Sequence, residues 1–169
     1  MIDLPIPTAT AVGISLRVMT PDDLGFTARV YASTRQEELA VTGWLQPQID
    51  AFIAQQHAAQ HHHYTAHYQG LVRYAIERDG TGIGRLYLHP GARDLRVVDI
   101  ALLPEARGQG IGAALLADVK AFAMAQGVRV SIHVERHNPA RRLYERSGFE
   151  VVGAANEVYD LMAWQPPNN

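Results

Sequence analysis

Residues 95–127 hold two apolar runs of different period, joined by a cluster of glycines. The first run, "LRVVDIALL", is apolar enough to be a central strand. The second carries Leu115, Leu116, Val119 and Phe122 at helical core spacing, over a helix predicted from Gly110 to Gln126, and Gly127 ends it. Between them stand Pro104 and the segment Arg107-Gly108-Gln109-Gly110-Ile111-Gly112. The fold must therefore hold a central strand, a turn stripped of side chains and a helix that packs back on the sheet. Such a turn lets backbone N–H groups approach a ligand closely, and the helix start adds unpaired donors with partial positive charge. Together they suit a phosphate or pyrophosphate, and Arg107 can add charge.

The glycine pattern alone is compatible with three readings. One is a structural turn. The second is a dinucleotide fold, which needs its glycines after the first strand of a βαβ unit and an acid roughly 20 residues later. Here they follow the fourth strand, and the region near Ser131 offers no suitably placed acid; a Walker lysine is missing too. The third is a coenzyme A site.

The rest of the chain supplies the frame. "ISLRVM" (14–19) alternates and reads as a strand. Thr20 and Pro21 then open a helix to about Arg35. A second, weakly amphipathic helix spans Pro47 to about His63, with Ile49, Phe52, Ile53 and Gln56 inward. "LVRYAIE", "RDGTG" and "IGRLYLH" form a hairpin. "VRVSIHV" is a strand and "NPARRLYERSG" a short helix, with Asn138 as cap, Pro139 at the first position and Gly148 at the end. "FEVVGA" and "VYDLMAW" close the sheet. The expected class is α/β of the α+β mixed kind: a mostly antiparallel sheet of about seven strands with about four helices on both faces.

At 169 residues, 47% of them apolar, the chain suits one domain over 1–165 with a loose tail at 166–169. A formal net charge of −2 gives no reason to expect nucleic-acid binding. With no cysteine there is no disulfide, thiolate zinc site or cysteine nucleophile, which fits a cytoplasmic location. No signal peptide and no membrane span are expected.

"LLPEARGQGIGAALL" resembles the acetyl-CoA motif of the GCN5-related N-acetyltransferases (GNAT family), whose pattern of Gln or Arg, two residues, Gly, one residue, Gly or Ala is met by Arg107, Gly110 and Gly112. "HNPARRLYERSGFEVVG" is similar to a second family block through Asn138, Ala140, Leu143, Tyr144, Gly148 and Phe149. The resemblance covers residues 72–164 well, and "YASTRQEELAVTGW" resembles a bacterial subgroup. It implies an N-acetyltransferase fold with acetyl-CoA as co-substrate and no metal. The acceptor would be a small-molecule or peptide amine, and many members dimerise. A noncatalytic acyl-CoA-binding module on the same fold is the alternative.

The resemblance also implies roles. The amides of Arg107, Gly108, Gln109, Gly110, Ile111 and Gly112 would hold the pyrophosphate. The main chain of Leu102 and Leu103 would pair with the pantetheine arm, Asn138 would bond it, and the fourth and fifth strands would splay to admit the acetyl group. Tyr144 would protonate the leaving thiolate, as a phenol of pKa ~10 can do for a thiol of pKa ~8.5. A backbone N–H near Leu102 would hold the oxyanion. Asp99 is the first choice for the base that frees the amine, because an acid on such a strand must be paired or face a cleft. Glu77 is an alternative base. Glu105 is expected in solvent, Glu135 in a salt bridge with Arg136 or Arg141, His133 buried and His89 at the surface. The Trp44 and Tyr64 regions would wall the acceptor cleft.

Five of the eight histidines fall in "QQHAAQHHHYTAH" (55–67). The pairs His57/His61 and His63/His67 have the i, i+4 spacing of zinc helices. The acid of an HExxH motif is missing, and adjacent histidines point about 100° apart. The stretch therefore reads as a polar, fraying helix end at the rim of the acceptor cleft rather than a metal site.

Overall fold

The computed structural model describes residues 2–167; Asn168 and Asn169 of the expected tail lie outside them, and Gln165–Pro167 have no regular structure. The elements are α1 (Pro7–Ala11), β1 (Ile14–Val18), α2 (Leu24–Ala40), α3 (Gln46–His67), β2 (Val72–Arg78), β3 (Thr81–Pro90), β4 (Asp94–Leu102), α4 (Ile111–Ala125), β5 (Arg129–Glu135), α5 (Arg141–Arg146), β6 (Glu150–Ala154) and β7 (Tyr159–Trp164). All seven strands fall where alternation and apolar runs place them, within a residue or two.

The helices differ more. The short α1 is additional, because its support is tertiary: the buried Asp118 carboxylate on α4 accepts from the N–H groups of Thr8 (3.0 Å) and Ala9 (2.8 Å). α2 and α3 run past Arg35 and His63. The extra turns pack, Leu39 against Ile49 and Ile53, and Tyr64 against Tyr87. α5 starts at Arg141 rather than Pro139, since the Asn138 side chain accepts from the Ala140 N–H (2.9 Å) and holds a turn first.

The sheet order is β1-β2-β3-β4-β5-β7-β6, antiparallel except for β4 beside β5. Helices α1 and α4 cover one face over an apolar core that includes Leu86, Leu88, Leu95, Val97, Leu115, Leu116, Val119, Val130 and Ile132. The α2–α3 hairpin covers the other face and keeps a small cluster of its own, Tyr31, Leu39, Ile49 and Ile53.

Two departures from regular pairing set up the site. β4 and β5 pair only from Asp94 to Val97 and from Arg129 to Ile132; beyond that the strands part. A bulge also interrupts β3–β4, so that Tyr87 faces Asp99 while Leu88 faces Val97. The extra residue, Val98, reverses the alternation. Without it Asp99 would share the core face of Leu95 and Val97; with it Asp99 points at the α2–α3 hairpin.

Candidate active site

The gap between β4 and β5 exposes main chain. The Leu103 N–H donates to the Ile83 carbonyl (2.8 Å), and the Leu103 carbonyl accepts from Ala106 (2.9 Å). Both Leu103 groups are thus engaged. By alternation Leu102 points its N–H and C=O the other way, into the gap. Its carbonyl accepts from Arg107 Nε (2.9 Å), while Arg107 Nη2 reaches the carbonyl and hydroxyl of Ser33 on α2 (both 3.3 Å).

The glycine loop follows directly. The Arg107 N–H is spent on the Pro104 carbonyl (3.2 Å), and the first helical bond runs from Ala114 to Gly110 (3.0 Å). The N–H groups from Gly108 to Ala113 have no acceptor among the described residues. The free run therefore begins one residue later than the motif suggests. Gly108 (φ 70°) and Gly110 (φ 80°) are in the left-handed region, which turns successive amides toward one side. Gly112 is small for another reason: a Cβ there would sit 2.9 Å from Leu143 Cδ2. Ile111 is buried in the core, and Gln109 is held by Arg78 (2.8 Å) and the Glu105 carbonyl (2.8 Å). Glu105 itself is exposed.

Tyr144 lies on the α4 side of the sheet, 5% exposed and packed on Phe149. Its hydroxyl has no hydrogen-bond partner among the described residues. Burial, and then the charge of Asp99, push its phenol up, so it stays protonated. Asn138 spends its Oδ1 on the Ala140 N–H, leaving its amide donors free.

Asp99 approaches from the opposite face. Its Oδ2 accepts from Arg85 Nη2 (2.8 Å) and the Tyr64 hydroxyl (3.3 Å). Arg85 is 2% exposed; Nη2 also reaches Gln60 (2.9 Å) and Nη1 the Thr27 carbonyl (3.4 Å). Its Nε meets no acceptor, but the guanidinium lies over the rings of Tyr87 (5.2 Å) and Tyr31 (5.9 Å). Burial works against the Arg85 charge, yet Asp99 first, then Tyr87 and Tyr64, outweigh it and raise its pKa. Burial, and then the Asp99 charge, also raise the Tyr64 phenol. Next to this layer His57 is buried, not exposed; it meets the Thr27 hydroxyl (3.1 Å), and burial followed by Arg85 lowers its pKa.

The far wall is β5, where Ser131, His133 and Glu135 share the face of Asp99. His133 is exposed rather than buried, because the strand that would cover it has parted. Glu135 does not pair with an arginine. Arg136 (3.0 Å) and Arg141 (2.8 Å) both go to Asp160, and Glu135 accepts from the Tyr159 hydroxyl (3.2 Å) instead. Glu77 is tied to Arg17 (2.8 Å), away from the gap. His89 is half-buried on the Gln69 carbonyl (3.0 Å), and Trp44 packs edge-on against Phe52 (5.4 Å).

The histidine run is helical throughout, not frayed. His61, His62, His63 and His67 are exposed, and the rings of His63 and His67 stack 4.3 Å apart. No cluster of three or more metal-ligating side chains occurs among the described residues. The member of this stretch that touches Asp99 is Tyr64. Sequence reasoning missed Arg85; its signal was a lone charge inside the apolar strand "IGRLYLH".

Residues 33–149 match the sequence model of the Acetyltransferase (GNAT) family. No curated protein matches the chain. Among solved structures, the PaiA N-acetyltransferase of Thermoplasma acidophilum, in complex with coenzyme A, is 19% identical with a TM-score of 0.68; the alignment covers 90% of this chain and 98% of that one. The spermidine N-acetyltransferase of Vibrio cholerae, in complex with CoA and spermine, is 19% identical with a TM-score of 0.62 over 90% of this chain and 95% of that one. An acetyltransferase of Thermus thermophilus is 20% identical with a TM-score of 0.61, over 89% of this chain and 96% of that one. At these identities the likeness is one of fold. The family match spans most of the chain and includes the glycine loop and Tyr144: this protein belongs to the acetyltransferase (GNAT) family.

Proposed function

We propose that the chain, acting as one domain over residues 1–165, is an N-acetyltransferase that moves an acetyl group from acetyl-CoA to a primary amine in the cytoplasm. The observation that carries this is the run of N–H groups from Gly108 to Ala113 at the start of α4, and the tyrosine hydroxyl beside the sheet gap, all without a partner among the described residues. A pyrophosphate suits that run, since several donors and the helix dipole converge on one spot. The Leu102 amide, facing the gap, suits an extended amide-bearing arm, and the free amide of Asn138 adds a second contact. The Leu103 main chain supports the bend and is itself engaged. The co-substrate supplies an activated acetyl group as a thioester.

The chain's own groups divide the proton work. Tyr144 holds a proton on the accessible hydroxyl of a largely buried side chain and can give it to a thiolate. Asp99 brings negative charge to the acceptor side; with Oδ2 engaged, Oδ1 is left to meet an ammonium. The Leu102 N–H can donate to a carbonyl oxygen as charge builds on it. The amine class is small-molecule or peptide; a polyamine is one member to try, since spermine sits in the Vibrio relative.

The test is an amine panel with acetyl-CoA and detection of free thiol. Tyr144→Phe should retain the coenzyme A-induced rise in melting temperature and lower kcat by about 10²–10⁴-fold. Thermal stabilisation without thiol release for any amine would favour a noncatalytic acyl-CoA-binding module.

A further inference from the structure

On the acetyl-transfer reading above, an alkyl ammonium of pKa ~10 must lose a proton before its nitrogen attacks. Asp99 has the charge to hold that cation, but Arg85 and Tyr64 both occupy its Oδ2. An ordinary carboxylate of pKa ~3.9 also lies about 10⁶-fold below an ammonium in proton affinity, whereas an imidazole of pKa ~6.5 lies only about 10³–10⁴-fold below. An imidazole on the same cleft is therefore the better place for the proton to go.

His133 is such a group. The last β4–β5 pair is Val97 with Ile132, so His133 is the first residue of β5 beyond the pairing. Its side chain shares the face of Ser131, and Ser131 bonds Arg96 of β4 on that face (2.7 Å). His133 is exposed. Arg96 Nη1 lies 3.2 Å from its Nδ1 and 3.1 Å from its Nε2. A nitrogen that close to both ring nitrogens lies over the ring rather than on either in-plane lone pair, and a fixed positive charge there disfavours the imidazolium. Although the residue is exposed, the partial desolvation of its ring, and then the Arg96 charge, lower the His133 pKa, with Asp94 opposing them. Arg96 is held in place by Ser131 and by Asp94 (3.5 Å), so the ring has a fixed cation behind it. The other titratable or charged groups on this cleft are Asp99 from β4, Glu135 from β5 and Tyr159 from β7, and Tyr31 and Arg35 of α2 lie close to Tyr159.

We infer that His133 accepts the proton of the acceptor ammonium, while Asp99 holds that cation in the gap. The N–H bond breaks, its electron pair stays on the amine nitrogen for attack on the thioester carbonyl, and the proton passes to a ring nitrogen. Tyr144 protonates the departing thiolate on the other side of the sheet. The nitrogen sheds its second proton to water as the tetrahedral adduct collapses to the amide, Tyr144 recovers a proton from water, and His133 returns its proton to solvent.

Two readouts test this. In an imidazole nitrogen NMR titration, His133 should be neutral at pH 7 with a midpoint below ~6.5, and Arg96→Met should raise that midpoint because a neighbouring cation is removed. With acetyl-CoA and the amine that releases thiol fastest, kcat/KM should fall at low pH through the same midpoint, and the limb should move to higher pH in Arg96→Met. His133→Gln should lower kcat by about 10²-fold and leave the coenzyme A-induced thermal shift intact. A His133 that is charged at pH 7, or a His133→Gln enzyme with wild-type kcat and acidic limb, overturns the inference. Loss of the limb only in Asp99→Asn would assign the proton to Asp99 instead. Failure of every amine to release thiol with the wild-type protein counts against acetyl transfer itself, and the NMR midpoint then decides separately whether the ring is neutral at pH 7.

Discussion

The two faces of the sheet are built from different materials. On the α1/α4 face, Leu115, Leu116, Val119, Val130 and Ile132 interlock, and the buried carboxylate there, Asp118, is spent on the α1 amides. On the α2/α3 face the helix pair rests on Arg85, Asp99, Tyr64, Tyr87, Gln60, Thr27 and His57, and keeps its apolar residues mostly to itself. An apolar face gains stability in proportion to the area it buries. A buried ion pair gains little over apolar side chains of the same shape, although breaking it is costly. The second face is thus one where polar groups persist for a reason other than stability, and it is the face from which Asp99 and His133 reach the gap.

Substitutions on each face can break that contrast. Leu116→Ala should cost up to about 5 kcal/mol in urea unfolding, with the specific activity of the remaining folded protein unchanged. Arg85→Met should cost about 3 kcal/mol, because Asp99 loses its cation. The double change Arg85→Met with Asp99→Leu should recover most of that stability and lose the activity. If the double variant is less stable than the single one, the polar layer is structural and the contrast fails. Asp118→Ala, which strips two N–H groups at α1 of their acceptor, should cost about 2 kcal/mol by the same measurement.

The smallest effect tests a surface pair. The Arg17 hydrogen bond, together with that from the Thr20 N–H, lowers Asp23 to about 2. A carboxylate lowered on folding stabilises the native state above its unfolded pKa of ~3.9 and loses that contribution as pH falls through the folded value. Asp23→Asn should therefore cost less than about 1 kcal/mol at pH 7 and nothing once the pH is well below the folded value, at about pH 1. A constant difference across that window would mean the cost is steric.

Much of the frame was legible because its signals are local. Alternation found the strands, and the glycines of 108–112 found the loop. Asp99 was legible as a misfit, but its direction was not: that depends on the bulge at Val98, and a bulge leaves no mark in the residue pattern. Helix ends were misjudged where tertiary contacts extend them, as Tyr64 on Tyr87 extends α3. Arg85 and His133 needed the third dimension. Both sit on strands whose sequences predict burial, and only the position of α3 and the parting of β5 explain why one is covered and the other is not.

The unclosed stretch of β4 has a consequence for backbone protection. Leu103 donates to β3, and by alternation so do Ala101 and Asp99, while Ile100 and Leu102 turn their amides to the gap. Deuterium should therefore enter this central strand in an every-other-residue pattern, fast at Ile100 and Leu102 and slow between them, although all lie in the middle of a seven-stranded sheet. A co-substrate that lies along the gap should erase the alternation at Leu102, which turns the exchange rate of one amide into a measure of occupancy.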